Sequence, residues 1–229
     1  MLNFIKMTSM EQNNMKNIAV ILAGCGVFDG SEINEVVLTL LHIEKNNAKY
    51  QCFAPDITQY HTLNHITGEE MTESRNVLVE SARITRGNIK SLAELDITQF
   101  DALIIPGGFG VAKNLSDFAI NGTNAKVNDE VLSACKAFAK ANKATGYMCI
   151  APALLPFIYN KPQLTIGNDS DTADALTTLG AEHIECKVDD IVIDKNNKLV
   201  TTPAYMLAQS IMDADVGIEK LVRNVLAMS

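Results

Sequence analysis

Unbroken apolar runs and helix-spaced apolar residues alternate along this chain. NIAVILA (17–23) is a short run rich in β-branched residues and reads as a strand buried on both faces. After the turn GCGVFDGS (24–31), Ile33, Val36, Val37, Leu40 and Leu41 fall at helical spacing, which predicts a helix with one buried face. KYQCFAP (49–55), DALIIPGG (101–108) and ATGYMC (144–149) are further strand candidates. Val127, Val131, Cys135, Phe138 and Ala139 share one helical face, and APALLPFIY follows the strand at 144–149 as another helix. IVIDKNNKLVTTP (191–203) reads as a hairpin turning at Asn196 and Asn197, and 204–227 as a closing helix.

Strands that alternate with helices and are themselves continuous apolar runs predict a mainly parallel sheet covered on both faces. The expected fold is a three-layer, flavodoxin-like α/β sandwich with a β-hairpin toward the C-terminus. No repeat, linker or low-complexity stretch divides it. Residues 15–229 are expected to form one domain, and 1–14 a poorly ordered extension or the product of a misplaced start codon. Ligands of such sheets bind at the carboxyl ends of the strands. The loops 24–32, 106–114 and 149–152 therefore carry the chemistry, if any does.

Composition narrows the field. The net charge of −8 and the absence of a basic run argue against nucleic acid or an anionic membrane as partner. No apolar run approaches the ~18 residues of a membrane helix. The first residues lack the apolar centre of a signal peptide, so a cytoplasmic protein is the default expectation. The five cysteines form no CxxC pair, and the four histidines do not cluster with them. Neither a disulfide framework nor a metal site is expected. GCGVFDGSE lacks both GxGxxG and a Walker lysine, which removes nucleotide binding.

GYMCIAPALLP (146–156) is the chemically pointed stretch. It places Cys149 where a strand turns into a helix, the setting of a nucleophile elbow. Pro152 suits the first helical turn, and the helix dipole there favours thiolate. Free cysteine is also among the most buried residue types, so inert packing is the competing reading. Cys25, in the first glycine-rich loop, is the second candidate thiol. Gly107 and Gly108 follow a strand and offer bare backbone N–H groups that, with the N–H of Ile150, could face an oxyanion; an ordinary tight turn explains them equally. Asp29 and Glu32 fit a capping box with Glu32 at its third position, and Glu32 is equally placed to lean toward Cys149. Asn76, Glu80 and Arg83 share a polar helical face that either lines the pocket or is simply solvated.

With these residues in place, the chain resembles the ThiJ/PfpI superfamily, which has a class I glutamine amidotransferase-like fold. GCGVFDGSEI, NHITGEEMTESRNVL, ARITRG, PGGFGVAKNLSDFA, MCIAPALLP and VTTPAYMLAQ carry the resemblance, which covers residues 16–227. It is nearest to the ElbB branch, whose members are called isoprenoid-biosynthesis proteins or glyoxalases. The resemblance implies Cys149 as nucleophile, Glu32 as its acidic partner, Gly108 and Ile150 as oxyanion donors, no cofactor, and a homodimer. Residue 150 is Ile where many superfamily members have His, and TIGNDSD (165–171) holds no histidine. A hydrolase triad is therefore not expected. A thiol and one carboxyl group suffice for a glyoxalase-type hydro-lyase of low activity acting on small 2-oxoaldehydes. The alternatives are a redox or stress sensor acting through Cys149 and an accessory protein acting through a contact surface.

Overall fold

The computed structural model describes residues 15–229, and the extension expected at 1–14 lies outside them. Strand β1 (Asn17–Ile21) leads to helix α1 (Ile33–Lys45) and strand β2 (Lys49–Ala54). A small antiparallel pair, β3 (Thr62–Leu63) and β4 (Glu70–Met71), precedes α2 (Val77–Ile84) and β5 (Ile89–Ser91). Next come β6 (Ala102–Ile105), the short α3 (Phe118–Asn121), α4 (Asp129–Lys140) and β7 (Ala144–Met148). The chain continues through β8 (Gln163–Leu164), α5 (Ser170–Thr178), β9 (Glu182–His183), β10 (Val192–Asp194), β11 (Leu199–Thr202) and α6 (Ile211–Met228).

Among the described residues, seven strands form one sheet in the order β10-β11-β7-β6-β1-β2-β5. Only β10 runs antiparallel, as the outer strand of the expected hairpin. The central strands β1, β6 and β7 are buried along their whole length apart from Asn17, so their side chains must pack on two sides. Neighbouring residues of β7 show both layers. A methyl group on Gly146 would meet Leu221 and Val225 of α6, while the fully buried Tyr147 lies against Cys135 of α4. The α/β sandwich read from the pattern is the observed architecture.

Two expectations for α1 need correction. Val36, Leu40 and Ile43 face the core as a stripe should, but Ile33, Val37 and Leu41 are exposed. Glu35, Thr39 and His42 are buried in their stead. The cap also differs. Glu32 is itself the N-cap, its carboxylate accepting the Glu35 N–H at 2.7 Å, so it is not the third residue of a box begun by Asp29. Asp29 instead accepts the Leu63 N–H and ties the β3–β4 segment to the first loop. The closing helix begins at Ile211, later than the pattern suggested, because residues 204–206 form a single tight turn.

The chain leaves β1 toward β2 and β5, then returns to β6, β7 and β11 on the other side of β1. The crevice at this switch point opens between the loops after β1 and β6. Those loops are stitched together by Glu32 N–H to Gly107 O, Phe109 N–H to Val27 O and Gly110 N–H to Gly30 O, at 2.8–2.9 Å.

Candidate active site

Cys149 directly follows β7 and holds a left-handed backbone, φ 57°. A non-glycine residue pays ~1–2 kcal/mol for that conformation. The surrounding structure imposes it: the Cys149 N–H continues the sheet by donating to Thr202 O at 3.0 Å, and the next residues wind at once into a 3-10 helix over Ala151–Phe157. The result is a sharp strand-to-helix turn with the thiol at its apex, 7% exposed. The N–H groups of Gly108 and Ile150 are directed at the Cys149 sulfur.

The carboxyl group beside this thiol belongs to Glu35 rather than Glu32. Glu35 lies on the inner face of α1 and is fully buried. Its Oε2 accepts the Gly107 N–H at 2.7 Å and its Oε1 accepts the Tyr205 N–H at 3.1 Å. The Tyr205 N–H is aimed there by Ala204, which adopts φ 44°. The thiol and the Glu35 carboxyl interact side by side. Gly107 is needed at this point, because a methyl group on it would lie 2.4 Å from Cys149 Cβ and 2.7 Å from Glu35 Oε2. The Gly107 N–H is consumed by Glu35 and is not free for an oxyanion, in contrast to the sequence expectation.

Burial dominates the electrostatics. It raises the Glu35 carboxyl to about 8, helped by the nearby Glu32 charge and opposed by the two backbone N–H bonds. At neutral pH Glu35 therefore carries a proton. The Cys149 thiol is pushed well above its ordinary value by burial and then by the Glu35 charge; the Gly108 and Ile150 N–H groups pull the other way without overcoming them. The lowered thiol expected from the helix dipole is not what this environment produces, since desolvation of a buried anion outweighs a few oriented dipoles. Glu32 is also raised by burial, while its backbone hydrogen bonds lower it.

The thiol opens into a cavity of about 280 Å³. Val27, Gly108, Phe109, Ile150, Tyr205 and Met206 form much of its wall, with Asp169 and Thr172 from the start of α5. No histidine lines it. His42 pairs with Asp215 at 2.6 Å, His61 lies against Lys113, His65 accepts the Phe28 N–H, and His183 accepts the Ile166 N–H. Asn76, Glu80 and Arg83 are also absent from the wall. Asn76 caps α2 and donates to Asp56, while Glu80 is buried under Arg83 and Arg75, at 2.9 and 3.5 Å. That charged group sits near Cys25, whose thiol is raised by burial and by Glu80. Among the described residues no group of His, Cys, Asp and Glu is arranged to hold a metal ion, and no helix is long and apolar enough to cross a membrane.

Fold and site together define the class: a parallel α/β sandwich whose cysteine sits on a strand-to-helix turn at the sheet's carboxyl edge. The chain belongs to the glutamine amidotransferase-like class 1 family that includes the ES1 proteins. It is 43% identical over 222 residues to the human glutamine amidotransferase-like class 1 domain-containing protein 3, mitochondrial, covering 93% of this chain and 83% of that protein. The zebrafish ES1 protein, mitochondrial, is 32% identical over 235 residues, covering 93% of this chain and 86% of its own length. Among solved structures, the Ehrlichia chaffeensis isoprenoid biosynthesis protein with amidotransferase-like domain superposes with a TM-score of 0.88 at 36% identity, covering 93% of this chain and 99% of that one. Glyoxalase III from Candida albicans, at 14% identity and TM-score 0.61 over 93% and 97% of the two chains, shares the fold alone. No protein-family model matches the chain. The cytoplasmic expectation is corrected by these relatives, since the human, rat and zebrafish proteins are all mitochondrial by name.

Proposed function

We propose that this chain is a cofactor-independent glyoxalase of the ElbB type, a slow lyase that turns small 2-oxoaldehydes into 2-hydroxy acids, glyoxal into glycolate. The observation that carries this reading is the buried Cys149–Glu35 pair, whose thiol lines a small cavity. The reactive fraction is the one with Glu35 ionised: as the Cys149 sulfur adds to the aldehyde carbon, Glu35 takes the thiol proton and hands it to the aldehyde oxygen, which leaves the carboxylate ionised again. A hemithioacetal results. Ionised Glu35 then removes the hydrogen on that carbon as a proton and returns it to the neighbouring carbon through an enediol. The first carbon is oxidised and the second reduced, so no external electron acceptor enters. Water cleaves the resulting thioester, which releases the 2-hydroxy acid and restores the thiol. A general base is most effective when its pKa lies near the working pH, and burial has brought Glu35 to about 8. The Gly108 and Ile150 N–H groups beside the sulfur support charge that develops there.

The Ehrlichia relative, an isoprenoid biosynthesis protein by name, supports placing the activity alongside isoprenoid biosynthesis. A homodimer belongs to the same proposal. The exposed Ile33, Val37 and Leu41 on α1, with Met212 and Val216 on α6, the helix packed against it, supply apolar surface for it. The test of function is direct: glycolate and lactate formation from glyoxal and methylglyoxal, without metal or glutathione, by wild type and by folded Cys149→Ser. Turnover by wild type and its loss in the variant support the proposal; background rates in both refute it.

A further inference from the structure

The cavity at Cys149 has a neighbour that shares part of its wall. A second hollow, of about 330 Å³, shares Phe109, Ile150 and Thr172 with it and runs on past Phe118, Ala119, Gly122 and Ala175, between α3 and α5. Its far walls are small or apolar. A methyl group built on Gly122 meets no atom within 4 Å, so the hollow is open there. Phe109, common to both linings, is 46% exposed. Among the described residues neither lining contains a lysine or an arginine, and Asp169 and Asp171 stand at the rim. Asp169 is held below the usual carboxylate range by its bonds to Thr172, so its charge persists at neutral pH.

We infer that the two hollows form one groove for a substrate with a neutral head at Cys149 and an apolar tail, an alkyl or aryl 2-oxoaldehyde of more than about five carbons. This deepens the glyoxalase reading and rests on it for the head group; the tail site stands on the walls alone. Glyoxal leaves the apolar hollow unused, while each methylene buried there strengthens binding by about fourfold. A carboxylate or phosphate tail meets two aspartates and no cation, which disfavours it.

Covalent labelling tests the groove without turnover. Chloroacetamide and N-hexylchloroacetamide both form a C–S bond with Cys149, expel chloride and release the thiol proton to buffer. Their rates at Cys149 are read by peptide mass spectrometry, with Cys149→Ser as the blank. The ratio of hexyl to unsubstituted rate is expected to exceed about tenfold. It should fall toward one in Ala175→Leu and in Ala119→Phe, which fill the hollow from α5 and from the exposed face of α3. The ratio normalises any change in thiol reactivity. A ratio near one, no hexyl labelling of Cys149, or a ratio that neither variant moves overturns the groove. A parallel assay compares hexylglyoxal with methylglyoxal. If neither is turned over while the labelling ratio holds, the glyoxalase reading falls and the groove survives.

Discussion

The Gly107 N–H donates to Oε2 of Glu35 at 2.7 Å and so fixes the buried carboxyl beside the Cys149 thiol. The opposite oxygen accepts the Tyr205 N–H, which leaves Glu35 no freedom to rotate away. Two backbone donors on one carboxyl group make this position selective for Glu. A glutamine there must turn its NH₂ toward one of the two N–H groups, so one hydrogen bond is lost.

The first prediction concerns the space between the pair. Gly107→Ala forces a methyl group against Cys149 and Glu35 Oε2. Overpacking of this kind costs ~1–3 kcal/mol. We expect a lowered urea midpoint together with reduced Cys149 labelling by iodoacetamide. Wild-type labelling and stability would show that the contact is not tight.

The second prediction separates the two carboxylates. Glu32 caps α1 through the Glu35 N–H, so Glu32→Ala should cost ~1 kcal/mol of stability, as other N-cap losses do. Its effect on oxoaldehyde turnover should be small beside that of Glu35→Gln. Chemical denaturation and steady-state rates on the same preparations check both halves.

A third prediction is a pH dependence of stability. The Glu35 carboxyl titrates near 4.5 when unfolded and at about 8 when folded. The folded state therefore holds more protons between these values, and stability falls as pH rises. The contribution is full below about pH 4.5 and lost through about pH 8, and the shift corresponds to ~5 kcal/mol as an upper bound. Unfolding curves between pH 5 and pH 8.5 should show wild type losing stability with rising pH, and Glu35→Gln losing much less. Parallel slopes would mean that Glu35 is ionised, or solvated, in the folded protein.

Much of this architecture is legible in the residues. Continuous apolar runs mark β1, β6 and β7 because strands buried on both sides need no polar alternation. The Gly-Tyr-Met-Cys-Ile-Ala-Pro order marks the turn at Cys149 because a strand must end where Pro152 can begin a helix. Glu35 escapes the same logic. Ile33, Val37 and Leu41 repeat at the period of the inner stripe, so α1 is apolar on nearly every side and the pattern does not say which face turns inward. A signal was present: Glu35, Thr39 and His42 recur at i, i+4 and i+7 among apolar residues, as a polar row pointed at the sheet would. The polar face of α2 misleads in the opposite direction. Glu80 is buried, but by its own arginines and away from the cavity at Cys149.

Glu35 as the proton carrier for Cys149 is the central claim, and the pH profile of kcat/KM for methylglyoxal tests it most directly, measured from pH 6 to pH 9 in wild type, Glu35→Gln and Glu32→Gln. Wild type should rise with pH through about 8, as Glu35 ionises. Glu35→Gln should lose the rise and at least ~100-fold in rate, the lower range for a general acid–base. Glu32→Gln should keep the rise. A profile that survives in Glu35→Gln, or disappears in Glu32→Gln, would contradict the account.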